Sequence, residues 1–250
     1  MPNHYQYPTA SLRRVDDHHT HFALDLSDWM QWHLYFGFSD PSQDNLLSLC
    51  RPGDYALDIG ANIGATMVLL GERVGPTGQV LGFEPDPQSF QKCQEHLLIN
   101  SQSHMEVFQL GLGNEQAEKW LRVRVASNQG MNQVSPMGEQ TDGTRIKITT
   151  LDHFFSQRSE NRIDLIKIDV EGYEAEVLRG AKATIEKFRP RLFVEIDDLN
   201  LKDHGSAPKE IYDLLESLGY DLFQNNERTP LRRTTDRCHF DLVGIPRTKA

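Results

Sequence analysis

Short apolar runs alternate with helical patterns from about residue 54 to the end of the chain. Residues 55–60 are an apolar run that ends at a glycine, residues 64–73 have helical periodicity, and residues 79–83 are a second apolar run. A strand, a helix and a strand in this order are typical of a βαβ unit. The pattern therefore predicts an α/β fold with a parallel sheet and crossover helices.

The alternation continues towards the C-terminus. Further strands are predicted at residues 105–110, 163–169, 191–196, 220–224 and 239–245, and further helices at 87–100, 177–188 and 211–218. The helix at 177–188 is predicted as one element, because its apolar residues share one face and Pro190 ends it. The last two strands are joined by a turn-rich segment, and we expect them to close the sheet as an antiparallel pair.

Two segments do not fit this alternation. Residues 1–45 carry a crowd of aromatic side chains and are predicted to form an N-terminal cap on a single domain at 46–250, with a share in a substrate pocket as the alternative. Residues 126–144 are polar with few apolar anchors. They are predicted to form a long substrate loop, with disorder as the alternative.

Composition narrows the classes of protein. The chain has 250 residues and a net charge of −10, which disfavours non-specific binding to nucleic acid or anionic lipid. It shows neither a membrane-spanning apolar run nor a secretory signal pattern. Its three cysteines lie far apart, which excludes a disulfide framework. A cytoplasmic protein is therefore expected.

A glycine-rich turn follows the first predicted strand, in the segment LDIGANIGA at residues 57–65. A strand that ends in glycines and opens a helix lets a polar ligand approach the backbone N–H groups. The dinucleotide-binding pattern G-x-G-x-x-G would need glycine at positions 62 and 65, where the chain has Asn62 and Ala65. A dinucleotide is therefore disfavoured.

Two carboxylates near this turn favour a nucleoside ligand with a cationic part. Glu84 ends the second predicted strand, where a carboxylate accepts hydrogen bonds from both hydroxyls of a ribose. Asp58 precedes the glycines and is placed to bind a cationic amino-acid portion. The alternative is that Asp58 caps the helix and Glu84 is a solvated turn residue.

Acidic residues and a lysine accompany the ends of two later strands. Lys167, Asp169 and Glu171 surround the end of the strand predicted at 163–169, and Glu195 ends the next strand together with Asp197. Parallel strands bind ligands at their carboxyl ends, and repulsion between carboxylates there raises the pKa of at least one of them. Such a group suits a general base that deprotonates a hydroxyl. The alternative is a structural ion-pair network around Lys167.

Metal binding is not predicted. The oxygen ligands at this edge would admit magnesium or calcium, but nothing in their spacing demands a divalent cation. His19 and His21 are expected in an exposed polar segment rather than in a transition-metal site, because no second ligand cluster accompanies them.

At these residues the sequence resembles the FkbM family of S-adenosylmethionine-dependent methyltransferases. The resemblance is carried by LDIGANIG (57–64), GFEPDP (82–87) with HLLIN (96–100), and LIKIDVEGYEAEVLRGA (165–181) with RPRLFVEI (189–196). It implies a Rossmann-like class I methyltransferase sheet of seven strands in the order 3-2-1-4-5-7-6, with strand seven antiparallel.

The resemblance also implies the site residues. The loop that holds the methionine part of S-adenosylmethionine is matched by Asp58, Gly60, Ala61, Asn62 and Gly64, and the ribose-binding acid by Glu84. By location in the fold, the cofactor is also expected beside Pro85, Asp86, Leu112, Gly113 and Asp169. The candidate catalytic residues are Asp169, Glu171, Glu195 and Lys167.

The implied reaction is O-methylation of a hydroxyl on a sugar or a secondary metabolite. The alternatives are N-methylation of an amide or amine in a peptide or small molecule, and a non-catalytic nucleoside-binding scaffold. A dehydrogenase shares the sheet but is disfavoured by Asn62. The expected partner is a small-molecule or peptide methyl acceptor, with neither nucleic acid nor a membrane, and a homo-oligomer remains open.

Overall fold

The computed structural model describes residues 2–8, 12–17, 20–37, 40–101, 103–122, 133–135, 143–233 and 237–248. The strands are β1 (Leu12–Asp17), β2 (Thr20–Asp25), β3 (Tyr55–Ile59), β4 (Gln79–Phe83), β5 (Met105–Phe108), β6 (Gly111–Leu112), β7 (Ala117–Arg122), β8 (Gln133–Val134), β9 (Thr144–Thr149), β10 (Leu165–Ile168), β11 (Arg191–Asp197), β12 (Tyr220–Gln224) and β13 (His239–Pro246). The helices are α1 (Trp29–Tyr35), α2 (Pro41–Leu49), α3 (Ala65–Val74), α4 (Pro87–Asn100), α5 (Leu151–Ser156), α6 (Glu174–Arg179), α7 (Lys182–Phe188), α8 (Asp198–Asp203) and α9 (Pro208–Ser217).

Seven strands form the main sheet, in the order β5-β4-β3-β10-β11-β13-β12. Counted along the chain within this sheet alone, the order is 3-2-1-4-5-7-6, as the family resemblance implied. The first five strands pair in parallel, whereas β13 is antiparallel to both β11 and β12. The predicted antiparallel pair at the end of the chain is confirmed.

Apolar side chains cover both faces of this sheet, because successive side chains of each strand point to opposite faces. In β3, Leu57 belongs to one buried cluster and Ala56 to the other. The second cluster includes Phe22 and Leu24 of β2, so the N-terminal hairpin of β1 and β2 packs on that face. None of the helices in the described ranges is long and apolar enough to cross a membrane.

One predicted helix is wrong. Residues 177–188 form the end of α6 and all of α7, which are separated at Gly180 and Ala181. A Cβ on Gly180 would lie 1.9 Å from the carbonyl oxygen of Gly113, so a loop packs directly against the break. The carboxylate of Asp152 accepts hydrogen bonds from the backbone N–H of Thr184 at 2.7 Å and of Ala183 at 3.1 Å, and so caps the start of α7.

A second sheet, of four strands in the order β6-β9-β7-β8, was not predicted. Its apolar side chains pack with Tyr173, beside the end of β10. The short strand β8 belongs to the segment at 126–144 that was predicted as a substrate loop. The remainder of that segment lies outside the described residues, except for positions 135, 143 and 144.

Candidate active site

A cavity of about 290 Å³ opens at the carboxyl ends of the central strands, where open α/β sheets bind ligands. Predicted site residues line much of it, namely Gly60, Ala61, Asn62, Glu84, Pro85, Leu112, Lys167, Asp169, Glu171 and Glu195. The structure therefore brings seven of the eleven predicted cofactor residues and all four predicted catalytic residues together in one cavity.

The glycine loop turns sharply at Gly60. Its φ of +82° lies in the left-handed region, and a Cβ there would lie 1.8 Å from the carbonyl oxygen of Asp169. The next turn places Asn62 at a φ of 49°, so its backbone N–H points to Glu84. Only glycine at position 60 lets the two loops after β3 and β10 meet, and their meeting forms one wall of the cavity.

Glu84 is held by the backbone on both carboxylate oxygens. Oε2 accepts from the N–H of Asn62 at 2.7 Å, and Oε1 accepts from the N–H of Asp86 at 2.8 Å. The side chain lines the cavity although the residue is only 7% exposed. Burial raises the pKa of Glu84 to about 7, and the two N–H donors counteract this rise. A solvated turn residue, the alternative from sequence, is excluded.

Lys167 joins the two loops through a buried ammonium group. Nζ lies 2.9 Å from the carbonyl oxygen of Gly60, 3.1 Å from Oδ1 of Asp58 and 3.3 Å from Oδ2 of Asp169. Burial alone would lower the pKa of Lys167, but the carboxylates of Asp169 and Asp58 raise it above its ordinary value. Asp58 is fully buried and does not cap α3, whose N-cap is Gly64. Both the predicted ion-pair network and the predicted acidic edge are thus present.

Three carboxylates converge in the cavity. One oxygen from each of Asp169, Glu171 and Glu195 lies within 4.8 Å of the others, so their negative charges repel one another. The charge of Asp169, followed by burial, raises the pKa of Glu195 to about 7. Glu195 Oε1 also lies 3.1 Å from Nε2 of His239.

Four predicted cofactor residues do not line the cavity. Asp58 is fully buried, and a Cβ on Gly64 would lie 2.5 Å from Sγ of Cys93. Asp86 caps α4 by accepting from two backbone N–H groups. Gly113 packs against Tyr173, where a Cβ would lie 2.9 Å from the ring. These four residues are therefore packing and capping residues next to the site.

Sequence reasoning missed several lining residues. Trp29 and Met30 reach the cavity from α1, and Tyr173 and Val134 reach it from the side of the second sheet. The aromatic cluster that contains Trp29 is visible in the sequence, but such a cluster is as compatible with core packing as with a pocket. Trp29 is 43% exposed, which separates it from the core.

The family model described as methyltransferase FkbM domain matches residues 58–222, about two thirds of the chain. The chain belongs to the FkbM methyltransferase family. A 2-O-methyltransferase, NoeI, from Sinorhizobium fredii is 28% identical to it in an alignment over 182 residues that covers 67% of this chain and 73% of that protein. A hexuronic acid methyltransferase, AglP, from Haloferax volcanii is 26% identical over 191 residues, covering 76% and 72%.

Solved structures show the same fold. The methyltransferase FkbM of Methylobacillus flagellatus aligns with a TM-score of 0.52 and 18% identity, over 86% of this chain and 52% of that one. A TehB-like S-adenosylmethionine-dependent methyltransferase of Corynebacterium glutamicum aligns with a TM-score of 0.51 and 15% identity, over 87% and 95%. This FkbM methyltransferase therefore has the class I methyltransferase fold.

The cofactor of the family, S-adenosylmethionine, fits the residues present. Glu84 faces the cavity with fixed oxygens that suit ribose hydroxyls. Asn62 Oδ1 is buried with no hydrogen-bond partner among the described residues, so a ligand donor can satisfy it. Apolar side chains of Pro85, Leu110 and Leu112 provide a surface for a purine. The protein is an S-adenosylmethionine-dependent methyltransferase.

Proposed function

We propose that this methyltransferase acts on a hydroxyl oxygen of a small molecule, either a sugar or a secondary metabolite. The observation that carries the proposal is the carboxylate of Glu195, which lines the cavity and has a pKa of about 7. A carboxylate with this pKa is suited to take a proton from a hydroxyl near neutral pH. The names of two relatives support the same class of substrate, because one is a 2-O-methyltransferase and the other is a methyltransferase of hexuronic acid.

The cofactor end of the cavity would be formed by the loops after β3 and β4. The methionine part would lie along Gly60, Ala61 and Asn62, and the ribose would be held by Glu84. When bound, S-adenosylmethionine supplies an electrophilic methyl group, whose bond to sulfur breaks with its electron pair left on sulfur as the new bond to oxygen forms. The protein's contribution is to align the acceptor with that methyl group and to remove one proton.

The acceptor end would lie beside Asp169, Glu171 and Glu195, the three candidate bases. Lys167 contacts Asp169 while it also binds Asp58 and the Gly60 carbonyl, so we assign it the task of holding Asp169 rather than of transferring a proton. Trp29 and Met30 of α1 also line the cavity, and Met30 Sδ accepts from Nδ2 of Asn62 at 3.6 Å. We propose that the N-terminal cap contributes to acceptor recognition through these two side chains.

Product analysis tests the proposal. The protein is incubated with S-adenosylmethionine carrying a ¹³C methyl group and with a panel of sugars, phenols, amines and peptides. The chemical shift of the new methyl carbon distinguishes an O-methyl from an N-methyl product. An O-methylated sugar or other alcohol is expected, and an N-methylated product alone would overturn the proposal.

Two variants test the role of the carboxylates. Asp169→Asn and Glu195→Gln are expected to lower turnover at least about 100-fold for the variant that removes the base, with cofactor binding retained. Glu227→Gln, a change at an exposed turn residue, is the matched control. Unaltered turnover in both variants would exclude Asp169 and Glu195 as the base.

A further inference from the structure

His239 lies outside the cavity but contacts one of its carboxylates. It begins β13, which pairs antiparallel with β11 and places His239 opposite Asp197. Its Nε2 lies 3.1 Å from Oε1 of Glu195. The imidazole is 64% exposed, whereas the side chain of Glu195 is 24% exposed and faces the cavity. This pair therefore connects the interior of the site with solvent.

The charges around the pair keep the imidazole protonated. Glu195 and Asp197 face it from β11, Asp241 faces it from its own strand, and Asp169 faces Glu195 from the loop after β10. The hydrogen bond to Glu195 is the main cause that raises the pKa of His239 to about 9. Near neutral pH the contact is then an imidazolium N–H that donates to a carboxylate.

The three carboxylates of the site differ in their hydrogen-bonded partners. Asp169 contacts the buried ammonium of Lys167, which is 6% exposed and keeps its proton. Glu171 accepts from the amide of Asn200 at 2.9 Å, and an amide does not titrate. Glu195 also shares a hydrogen bond with Asp169, and it is the member of this trio that contacts a solvent-exposed imidazole.

We infer that Glu195 is the base of the methyl transfer and that His239 is its positioning residue, which orients the carboxylate and releases its proton to solvent. The inference rests on the proposed function, since it assigns the proton of the acceptor hydroxyl. That proton moves from oxygen to the Glu195 carboxylate. Neutralising the carboxylate removes the charge that held the imidazolium protonated, so the exposed ring gives up one proton to water. The Glu195–His239 pair thus releases one proton for each O–H bond broken.

An NMR titration tests the pair without any substrate. With ¹³C-labelled histidine in the full-length protein, His239 is expected to titrate well above the ordinary value of a histidine. In Glu195→Gln its pKa should fall by about one unit or more, because the main stabilising charge is lost. A His239 pKa that is equal in both proteins would overturn the inference.

A pH profile of turnover tests the functional part. His239→Gln keeps a side-chain N–H donor but removes the positive charge, so the pKa of Glu195 rises and the acidic limb of the profile shifts to higher pH. KM for S-adenosylmethionine is expected to stay unchanged, and His153→Gln is the control. An acidic limb that stays in place in His239→Gln, at any level of activity, would contradict the assignment.

The two proposals fail in different ways. If the wild-type product is N-methylated, the proposed function fails whatever the histidine titration shows. If the product is O-methylated while the titration of His239 or the acidic limb is unchanged by these substitutions, only the role of the pair fails.

Discussion

Single atoms determine the shape of this site. The ammonium of Lys167 lies between 2.9 and 3.3 Å from oxygens of three different residues, and one of these acceptors, Asp58, is fully buried. Asp58 Oδ2 has no hydrogen-bond partner among the described residues, so Lys167 is the main compensation for this carboxylate. The network is therefore more than a pair of neighbouring charges, because it holds the glycine loop to the loop after β10.

Replacing Lys167 by methionine leaves the Asp58 carboxylate buried without a counter-ion. We expect Lys167→Met to lower the free energy of unfolding by about 3 kcal/mol or more, measured by urea denaturation. The double variant Asp58→Asn with Lys167→Met should recover part of this loss. Lys202→Met is the control, because Lys202 of the Lys202–Asp198 ion pair is exposed, so solvent screens the pair and its loss should change stability little. Equal effects of the two lysine substitutions would contradict the account.

Gly60 lies where the loop after β3 contacts the loop after β10. Gly60→Ala introduces a methyl group where the Asp169 carbonyl lies, and we expect it to abolish binding of S-adenosylhomocysteine in a calorimetric titration. Gly205→Ala is the matched control, because Gly205 has a φ of +70° and a Cβ there would have no neighbour within 4 Å among the described residues. It should cost about 1 kcal/mol of stability from backbone strain and leave binding intact. Retained binding in Gly60→Ala would show that the two loops need not meet.

Helix α4 connects the N-terminal hairpin with the glycine loop. His96 is fully buried, and its Nδ1 lies 2.7 Å from the carbonyl oxygen of Ile63 in the glycine loop. Its Nε2 lies 3.1 Å from the backbone nitrogen of Ala23 in β2. Burial lowers the pKa of His96, so the neutral ring donates through Nδ1 to Ile63 and accepts at Nε2 from Ala23.

Removing this ring should weaken the attachment of the N-terminal hairpin to α4. We expect His96→Phe to increase amide hydrogen exchange in residues 20–25, because Ala23 loses its acceptor and the buried carbonyl of Ile63 loses its donor. His104→Phe is the control, since His104 contacts a carbonyl of α3 and not the hairpin. If both variants protect residues 20–25 as the wild type does, other contacts hold the hairpin, among them the two hydrogen bonds of Asn100 with the backbone of His21.

Elements with strong local signals were predictable from the sequence. The start of α4 is set by Asp86 as the N-cap and Pro87 in the first turn, both of which are visible in the sequence. The break between α6 and α7 was not predictable, because it depends on Asp152, a residue distant along the chain that caps α7. The strands β7 and β9 were missed, since neither carries the continuous apolar run of a buried parallel strand.

The candidate site was predicted better than its surroundings. Glu84, Asp169 and Glu195 were identified because motif spacing places them at the ends of parallel strands of one sheet. His239 and Trp29 were not, because the first belongs to an antiparallel strand far along the chain and the second to a separate helix. Contacts of this kind depend on tertiary packing, which local patterns do not encode.

The buried carboxyl group of Glu174 makes the free energy of unfolding of the molecule depend on pH. Burial raises the pKa of Glu174 to about 8 from an ordinary 4.5, although its Oε1 accepts from the backbone N–H groups of Val170 and Gly172. Because the raised pKa belongs to the folded state, this group binds more protons when folded than when unfolded. Its contribution is therefore complete below about pH 4.5 and is lost as the pH rises through about 8.

Glu174→Gln removes this titration while its amide oxygen retains the two backbone hydrogen bonds. Between about pH 6 and about pH 8, the free energy of unfolding of the wild type should fall by about 1 to 2 kcal/mol more than that of the variant, measured by chemical denaturation. Glu227→Gln, at an exposed position, should follow the wild type. Parallel curves for the wild type and Glu174→Gln would show that Glu174 is already ionised at pH 6.

We propose that one cavity binds the cofactor at Glu84 and accepts the acceptor's proton at Glu195. A calorimetric titration of the wild type, Glu84→Ala and Glu195→Gln with S-adenosylmethionine, S-adenosylhomocysteine and NADH tests this arrangement. The wild type and Glu195→Gln are predicted to bind the first two ligands with similar affinity and not NADH, whereas Glu84→Ala should lose about 100-fold in affinity. Equal binding by Glu84→Ala, or loss of binding in Glu195→Gln, would contradict this division of the cavity.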